Sequence, residues 1–102
     1  MELDIKTKKE GSQLTVFLDG ELNTITAPEL ADVLDQNLEG VDMLYFDFSG
    51  CELVSSAGLR VLLNTFKNMK KSGGKMELQN VGPNFGEILY ITGLDKAFGY
   101  KK

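Results

Sequence analysis

The chain has 102 residues, a hydrophobic content of 42% and a charged content of 25%, values typical of one globular domain that covers residues 1–102. Its formal net charge of −4 argues against a nucleic-acid partner, because contacts to phosphates require a basic surface. No charged-then-apolar leader opens the sequence and no apolar run reaches membrane-spanning length, so we expect a cytoplasmic protein without membrane contact.

The first two predicted elements are strands. Residues 2–7 alternate polar and apolar side chains, residues 8–12 have the composition of a turn, and the alternation resumes from Gln13 to Asp19. We therefore predict an antiparallel hairpin at one side of a sheet. Residues 20–23 break the alternation and are predicted to follow the second strand. The buried face of that strand is expected to carry Leu14, Val16 and Leu18.

A helix is predicted to begin at Thr26. The Thr26 hydroxyl is placed to accept from the third helical N–H and Glu29 to complete a capping box, while Pro28 suits the first turn. Gly40 is predicted to end this helix. Its apolar stripe consists of Leu30, Val33, Leu34 and Leu38.

The stretch that follows predicts a strand, a polar hinge and a second helix. The aromatic run from Met43 to Phe48 indicates a strand buried on both faces, and Leu53-Val54 continue toward the hinge, residues 55–58. A helix that begins there directs unpaired N–H groups and the positive end of its dipole toward the hinge serines, which favours a phosphate at this position. Gly73-Gly74 is predicted to end the helix. Its apolar face is expected at Leu59, Leu62, Leu63, Phe66 and Met69.

The last third of the chain predicts one more strand and one more helix. Residues 75–79 alternate as a strand, Pro83 opens a helix and Gly93 ends it, while residues 94–98 predict either a helical turn or a final edge strand. The helix is expected to bury Phe85, Ile88 and Leu89. The order β-β-α-β-α-β-α(-β/α) predicts an α/β domain with a mixed sheet of four to five strands packed with helices.

Few residues are suited to catalysis. The sequence contains no histidine, which removes Ser-His and Cys-His nucleophilic catalysis and the commonest metal ligand. No phosphate-binding or dinucleotide-binding glycine motif is present. Cys51 is the only cysteine, and we interpret it as a small, partly buried apolar side chain. We therefore expect a binding protein that is not an enzyme and that uses no cofactor or metal.

Several motifs resemble one family in the same order. Asp47-Phe48-Ser49 and the segment from Leu53 to Leu59 resemble the signature of the STAS domain of bacterial anti-sigma factor antagonists. The segment from Leu18 to Leu22, followed by Thr26-Ala27, resembles the second strand and first helix entry of that family. The segment from Gly73 to Met76 resembles the turn of that family into its next strand, and the segment from Leu94 to Phe98 resembles its closing segment. The resemblance covers essentially the whole chain.

The resemblance implies a regulatory switch. Members of this family bind an anti-sigma factor that is also a serine kinase and thereby release a sigma factor. Phosphorylation of a serine at the start of the helix after the central strand breaks the complex, and a phosphatase restores it. The matching serine is Ser56. The family usually has Asp immediately before it, whereas this chain has Ser55, which is a rival acceptor.

The resemblance also implies a partner-binding surface on a protein that we expect to be a monomer. The expected loop beside the hinge contributes three of its residues, and the first turns of the second helix contribute two. A non-phosphorylated STAS scaffold of another assembly, such as a lipid transporter, is the alternative that the absent Asp favours. The partner-binding residues implied are Asp19, Asn23, Thr24, Ser55, Ser56, Ala57, Gly58, Arg60 and Asn64.

Overall fold

The structure is a computed structural model and describes residues 3–100, so Glu2 of the predicted first strand lies outside the described residues. The strands are β1 (Leu3–Glu10), β2 (Gln13–Leu22), β3 (Met43–Val54), β4 (Lys75–Gln79) and β5 (Gly99–Tyr100), and the helices are α1 (Ala27–Asn37), α2 (Ser56–Lys71), α3 (Pro83–Thr92) and α4 (Leu94–Ala97).

These strands form one mixed sheet in the order β1-β2-β3-β4-β5. The first pair is antiparallel, whereas β2, β3, β4 and β5 run parallel to one another. The predicted α/β fold class and the hairpin are therefore confirmed. Because β2, β3 and β4 each lead into a helix, the N-termini of α1, α2 and α3 meet at one edge of the sheet.

The helices cover only one face of the sheet. Leu14, Val16 and Phe46 are completely buried on that face, as the alternation predicted for the second strand. On the opposite face, Phe17 is 39% exposed and Tyr45 is only half-buried. The prediction that the central strand is buried on both faces was therefore wrong, and the sheet has one open face.

All three long strands extend further than the alternation predicts. β1 continues to Glu10 because residues 8–10 pair with residues 13–15 across the hairpin. β2 continues through the predicted break to Leu22, which pairs with Val54 of β3. The register between β2 and β3 shifts twice, between Phe17 and Asp19 and again between Asp19 and Glu21. Such bulges let a strand continue although its local pattern is broken.

The capping box predicted for α1 was wrong. Thr26 precedes the helix but makes no capping hydrogen bond to it. Its hydroxyl donates to the Glu21 carbonyl at 2.7 Å and accepts from the Asn23 N–H at 2.9 Å. The Asn23 side chain accepts from the N–H groups of Ile25 and Thr26 instead. The helix then ends at Asn37, before the predicted Gly40.

The C-terminal elements follow the prediction closely. β4 spans the predicted residues 75–79, and Gly73 and Gly93 have φ angles of +84° and +76°, as expected where helices end at glycine. Residues 94–98 contain the helical turn α4, and the edge strand β5 follows it. Ile88, which was expected on the buried face of α3, is 38% exposed.

A carboxylate ties β3 to the turn after β4. The Asp47 carboxylate accepts from the Ser49 N–H at 2.9 Å and from the Asn80 side-chain amide at 3.2 Å. Asn80 has a φ of +55°, a conformation that asparagine tolerates better than most residues. Partial burial acts to raise the pKa of Asp47, but the hydrogen bonds from Ser49 and Asn80 outweigh it, so its pKa is lowered.

We predict that Asp47→Asn lowers the free energy of unfolding at pH 7 by about 1 kcal/mol. Because folding lowers the pKa of Asp47, its contribution is complete above the unfolded-state pKa of about 3.9 and disappears as pH falls through the folded value. The difference between wild type and variant should therefore shrink below about pH 4. Urea unfolding across this range checks it, with the exposed Asp35→Asn as control; a difference that stays constant with pH contradicts the prediction.

Candidate functional site

The hinge is a strand-to-helix turn at the edge where three helices begin. β3 ends at Val54, Ser55 has an extended backbone with φ −82° and ψ 173°, and α2 begins at Ser56. The Ser55 hydroxyl oxygen accepts from the Gly58 N–H at 3.4 Å. Ser55 is therefore the residue that caps the N-terminus of α2.

The hinge is held against the end of β2. The Ser55 N–H donates to the Leu22 carbonyl at 2.8 Å, which continues the pairing of β2 with β3. Gly58 is buried on Leu22, and a Cβ atom at this position would lie 2.5 Å from the Leu22 Cγ and 3.2 Å from the Leu22 carbonyl oxygen. Only glycine allows the helix to approach β2 this closely.

Ser56 is exposed as the first residue of α2. The first turn, residues 56–59, contains no acidic side chain. A negative group on Ser56 therefore meets the positive end of the helix dipole and unpaired helical N–H groups without a carboxylate in the same turn. This arrangement suits a phosphate electrostatically.

The structure brings only some of the predicted binding residues together. Asn23 follows β2 directly and lines a shallow groove with Ser55. Thr24 is exposed in the same loop. Asp19, by contrast, was expected in this loop but lies within β2, opposite Gly50 of β3, because β2 is longer than predicted.

The two predicted residues of α2 have different surroundings. Arg60 is exposed one turn after Ser56. Asn64 is also exposed, but it lines a separate groove of about 190 Å³ between α1 and α2. Its neighbours in that groove include Asp35 and Asn68.

The groove beside the hinge contains residues that the sequence did not indicate. It has a volume of about 220 Å³, and its lining includes Glu52, Leu53, Asn84 and Ile88 in addition to the hinge. The α3 residues were missed because they come near the hinge only through the packing of α3 against β3. Leu53 is 55% exposed, so the groove presents an apolar side chain to solvent.

Cys51 lies beneath this region and is structural. Its side chain is completely buried, whereas the sequence was interpreted as giving a partly buried one, and its Sγ is 3.7 Å from the Leu53 carbonyl oxygen. Burial raises the pKa of the Cys51 thiol, and the nearby carboxylates of Asp19 and Glu21 raise it further. The thiol is therefore kept protonated and unreactive.

Residues 3–100 contain neither a metal-binding cluster nor a membrane-spanning helix. No group of three or more His, Cys, Asp or Glu side chains in this range is arranged to hold a metal ion. None of the helices in the same range combines the length and the apolar character needed to cross a membrane.

Comparison with known proteins identifies the family. The sequence profile of the STAS domain matches residues 4–102. The chain belongs to the STAS domain family. The resemblance that the motifs indicated is thereby confirmed for the family as a whole.

Individual relatives and solved structures support the same family and fold. An anti-sigma-B factor antagonist from Bacillus subtilis is 30% identical over 94 residues, which cover 92% of this chain and 86% of the relative. A crystal structure from Thermotoga maritima, provisionally described as an anti-sigma factor antagonist, has a TM-score of 0.89 and 25% identity, covering 96% of this chain and 86% of the other. The Bacillus cell fate determinant SpoIIAA in its phosphorylated form has a TM-score of 0.78 and 15% identity, covering 97% and 92%, which shows a shared fold.

We predict that Gly58→Ala destabilises the protein by about 1–3 kcal/mol, although alanine is the better helix former by about 1 kcal/mol. The new Cβ overlaps the Leu22 side chain. In a Leu22→Ala background the overlap disappears, so Gly58→Ala should cost less there. Urea unfolding of the four variants of this cycle measures the coupling; equal costs in both backgrounds contradict the proposed contact.

We also predict that Ser55→Ala lowers the free energy of unfolding by about 0.5–1 kcal/mol, because the Gly58 N–H loses its acceptor. Ser56→Ala serves as the matched control and should change it by less than about 0.5 kcal/mol, since Ser56 is exposed. Chemical denaturation at pH 7 distinguishes the two. A larger loss for Ser56→Ala reverses the assignment of the capping residue.

Proposed function

We propose that this protein is an anti-sigma factor antagonist that binds a serine-kinase anti-sigma factor and is released when Ser56 is phosphorylated. The main support is the exposed Ser56 at the start of α2, in the position that the family motif assigns to the phosphorylated serine. The relatives named anti-sigma-B factor antagonist support the same function. A phosphatase would remove the phosphate and restore binding.

The environment of the two serines favours Ser56 as the acceptor. The Ser55 side chain is half-buried and its oxygen accepts the capping hydrogen bond from Gly58. The Ser56 side chain is exposed, so a kinase can reach its Oγ. In the transfer, Oγ forms a bond to the γ-phosphorus of ATP, the bond to ADP breaks, and the hydroxyl proton passes to a base of the kinase. Ser55 is the rival acceptor.

The domain should keep its fold after phosphorylation. A phosphoserine carries about −1.5 to −2 charges at neutral pH, and negative charge at an exposed helix N-terminus is favourable by about 0.3–1 kcal/mol. The phosphorylated form of SpoIIAA, which has the same fold, is consistent with this expectation. The effect of phosphorylation would therefore fall on the complex, where a docked partner with acidic groups opposite Ser56 is repelled.

The residues around Ser56 would form the surface that the partner contacts. Asn23 and Thr24 lie on one side of the hinge, and Arg60 lies one turn along α2. Ser55 replaces the family's Asp and contributes no charge. This difference is the observation that favours the alternative function, a STAS scaffold that is not phosphorylated.

We predict that Ser56→Asp and Ser56→Glu weaken binding to the kinase-type anti-sigma factor of the same bacterium by at least about tenfold, because like charges meet in the complex. Ser56→Ala should bind as the wild type does but accept no phosphate. Calorimetry measures binding, and intact mass after incubation with the anti-sigma factor and ATP measures phosphorylation.

The matched charge control is Ser12→Asp, in the exposed turn between β1 and β2 at the opposite edge of the sheet, which should bind normally. Tight binding by Ser56→Asp would refute the switch. A wild-type protein that gains no phosphate would support the scaffold, and a phosphate gained by Ser56→Ala but not by Ser55→Ala would assign the acceptor to Ser55.

A further inference from the structure

The groove beside the hinge presents two exposed apolar side chains to solvent. Leu53 at the end of β3 is 55% exposed and Ile88 of α3 is 38% exposed, and both line the same groove of about 220 Å³. The groove is built by separate elements, because Glu52 and Leu53 belong to β3 and Ile88 belongs to α3. These two elements approach closely: a Cβ atom placed on Gly82, immediately before α3, would lie 3.9 Å from the Glu52 Cγ. Together Leu53 and Ile88 give an apolar side chain of a partner two surfaces that its binding would remove from water.

The charge of the groove has one sign. Glu21 and Glu52 line it, and no lysine or arginine is among its lining residues in the described part of the chain. The carboxylates of Asp19 and Glu21 also act on the buried Cys51, whose pKa they raise in addition to the effect of burial. The groove therefore combines an apolar floor with a negative rim, which a basic and apolar segment complements.

We propose that this groove binds a segment of the anti-sigma factor in which an apolar side chain is flanked by lysine or arginine. The apolar side chain would lie between Leu53 and Ile88, and the cationic group would lie at Glu21 and Glu52. This inference rests on the proposed function, because it names the chemistry of the partner that the antagonist recognises.

The position of the groove separates docking from the phosphoryl transfer. Ser55 forms part of its wall, whereas the exposed Ser56 begins α2 next to it. A segment held in the groove brings the kinase site to Ser56 but contacts no reacting atom. Loss of the contacts between this segment and the groove should therefore raise the Kd of the complex and the KM for this protein as a substrate, while kcat is retained.

The first test removes the apolar contacts. Leu53→Gln, Ile88→Gln and their combination should each weaken binding to the kinase-type anti-sigma factor, with the double variant at least about tenfold weaker than wild type. They should raise KM with little change in kcat at saturating substrate. The control is Tyr90→Gln, an exposed residue of the same helix that lines a different groove with Pro83 and Gly86; it should bind as wild type.

The second test reverses the charges. Glu21→Lys and Glu52→Lys should slow association severalfold and weaken its dependence on salt. Glu39→Lys makes the same change of net charge at an exposed position beyond the other end of α1 and should have a smaller effect. Thermal unfolding of each variant confirms that it is folded before its binding is interpreted.

The outcomes distinguish the inference from the proposed function. If the Leu53→Gln and Ile88→Gln variants keep the affinity and the KM of the wild type, the proposed binding in the groove is wrong, but the switch at Ser56 is not affected. Charge reversals that act no more strongly than Glu39→Lys overturn the basic segment. A wild-type protein that binds none of the bacterium's kinase-type anti-sigma factors overturns both.

Discussion

The contact between the ends of β2 and β3 is the constraint on which the candidate site depends. The Ser55 N–H donates to the Leu22 carbonyl at 2.8 Å, and Gly58 packs directly on the Leu22 side chain. These two contacts fix where β3 stops, where α2 starts and how the helix lies against the sheet. Because Asn23 follows Leu22 in the chain, they also place the start of the β2–α1 loop beside Ser55.

This contact explains why the hinge carries small residues. A side chain at position 58 would push α2 away from β2, and the Ser55 oxygen would then no longer lie 3.4 Å from the Gly58 N–H. Glycine at position 58 and serine at position 55 are thus parts of one structural requirement. Ser56 is free of that requirement because it is exposed. The hinge can therefore accept a modification at Ser56 without losing the contacts that hold it.

The elements that the sequence predicted well are those determined by local residues. The strand at residues 75–79 and the helix end at Gly93 follow from alternation and from the left-handed conformation of glycine. The predictions failed where hydrogen bonds to residues outside the predicted element decide the outcome. β2 extends to Leu22 because β3 supplies its pairing partner, and Thr26 does not cap α1 because its hydroxyl is used by Glu21 and Asn23. The position of Ile88 near the hinge likewise comes from tertiary packing alone, which no local pattern encodes.

The groove changes how a charge at Ser56 should act. A neutral hinge would become negative on phosphorylation, but the surface next to this hinge already contains the carboxylates of Glu21 and Glu52. The phosphate would deepen a negative potential instead of reversing its sign, so attraction of a basic segment to the groove would persist. Under the proposed function, release would then come from the region around Ser56 itself, where the added phosphate would occupy space and would repel acidic groups of the partner. Affinity would thus depend on the groove, and switching on the adjacent surface around Ser56. The absence of Asp at position 55 would then affect only the switching.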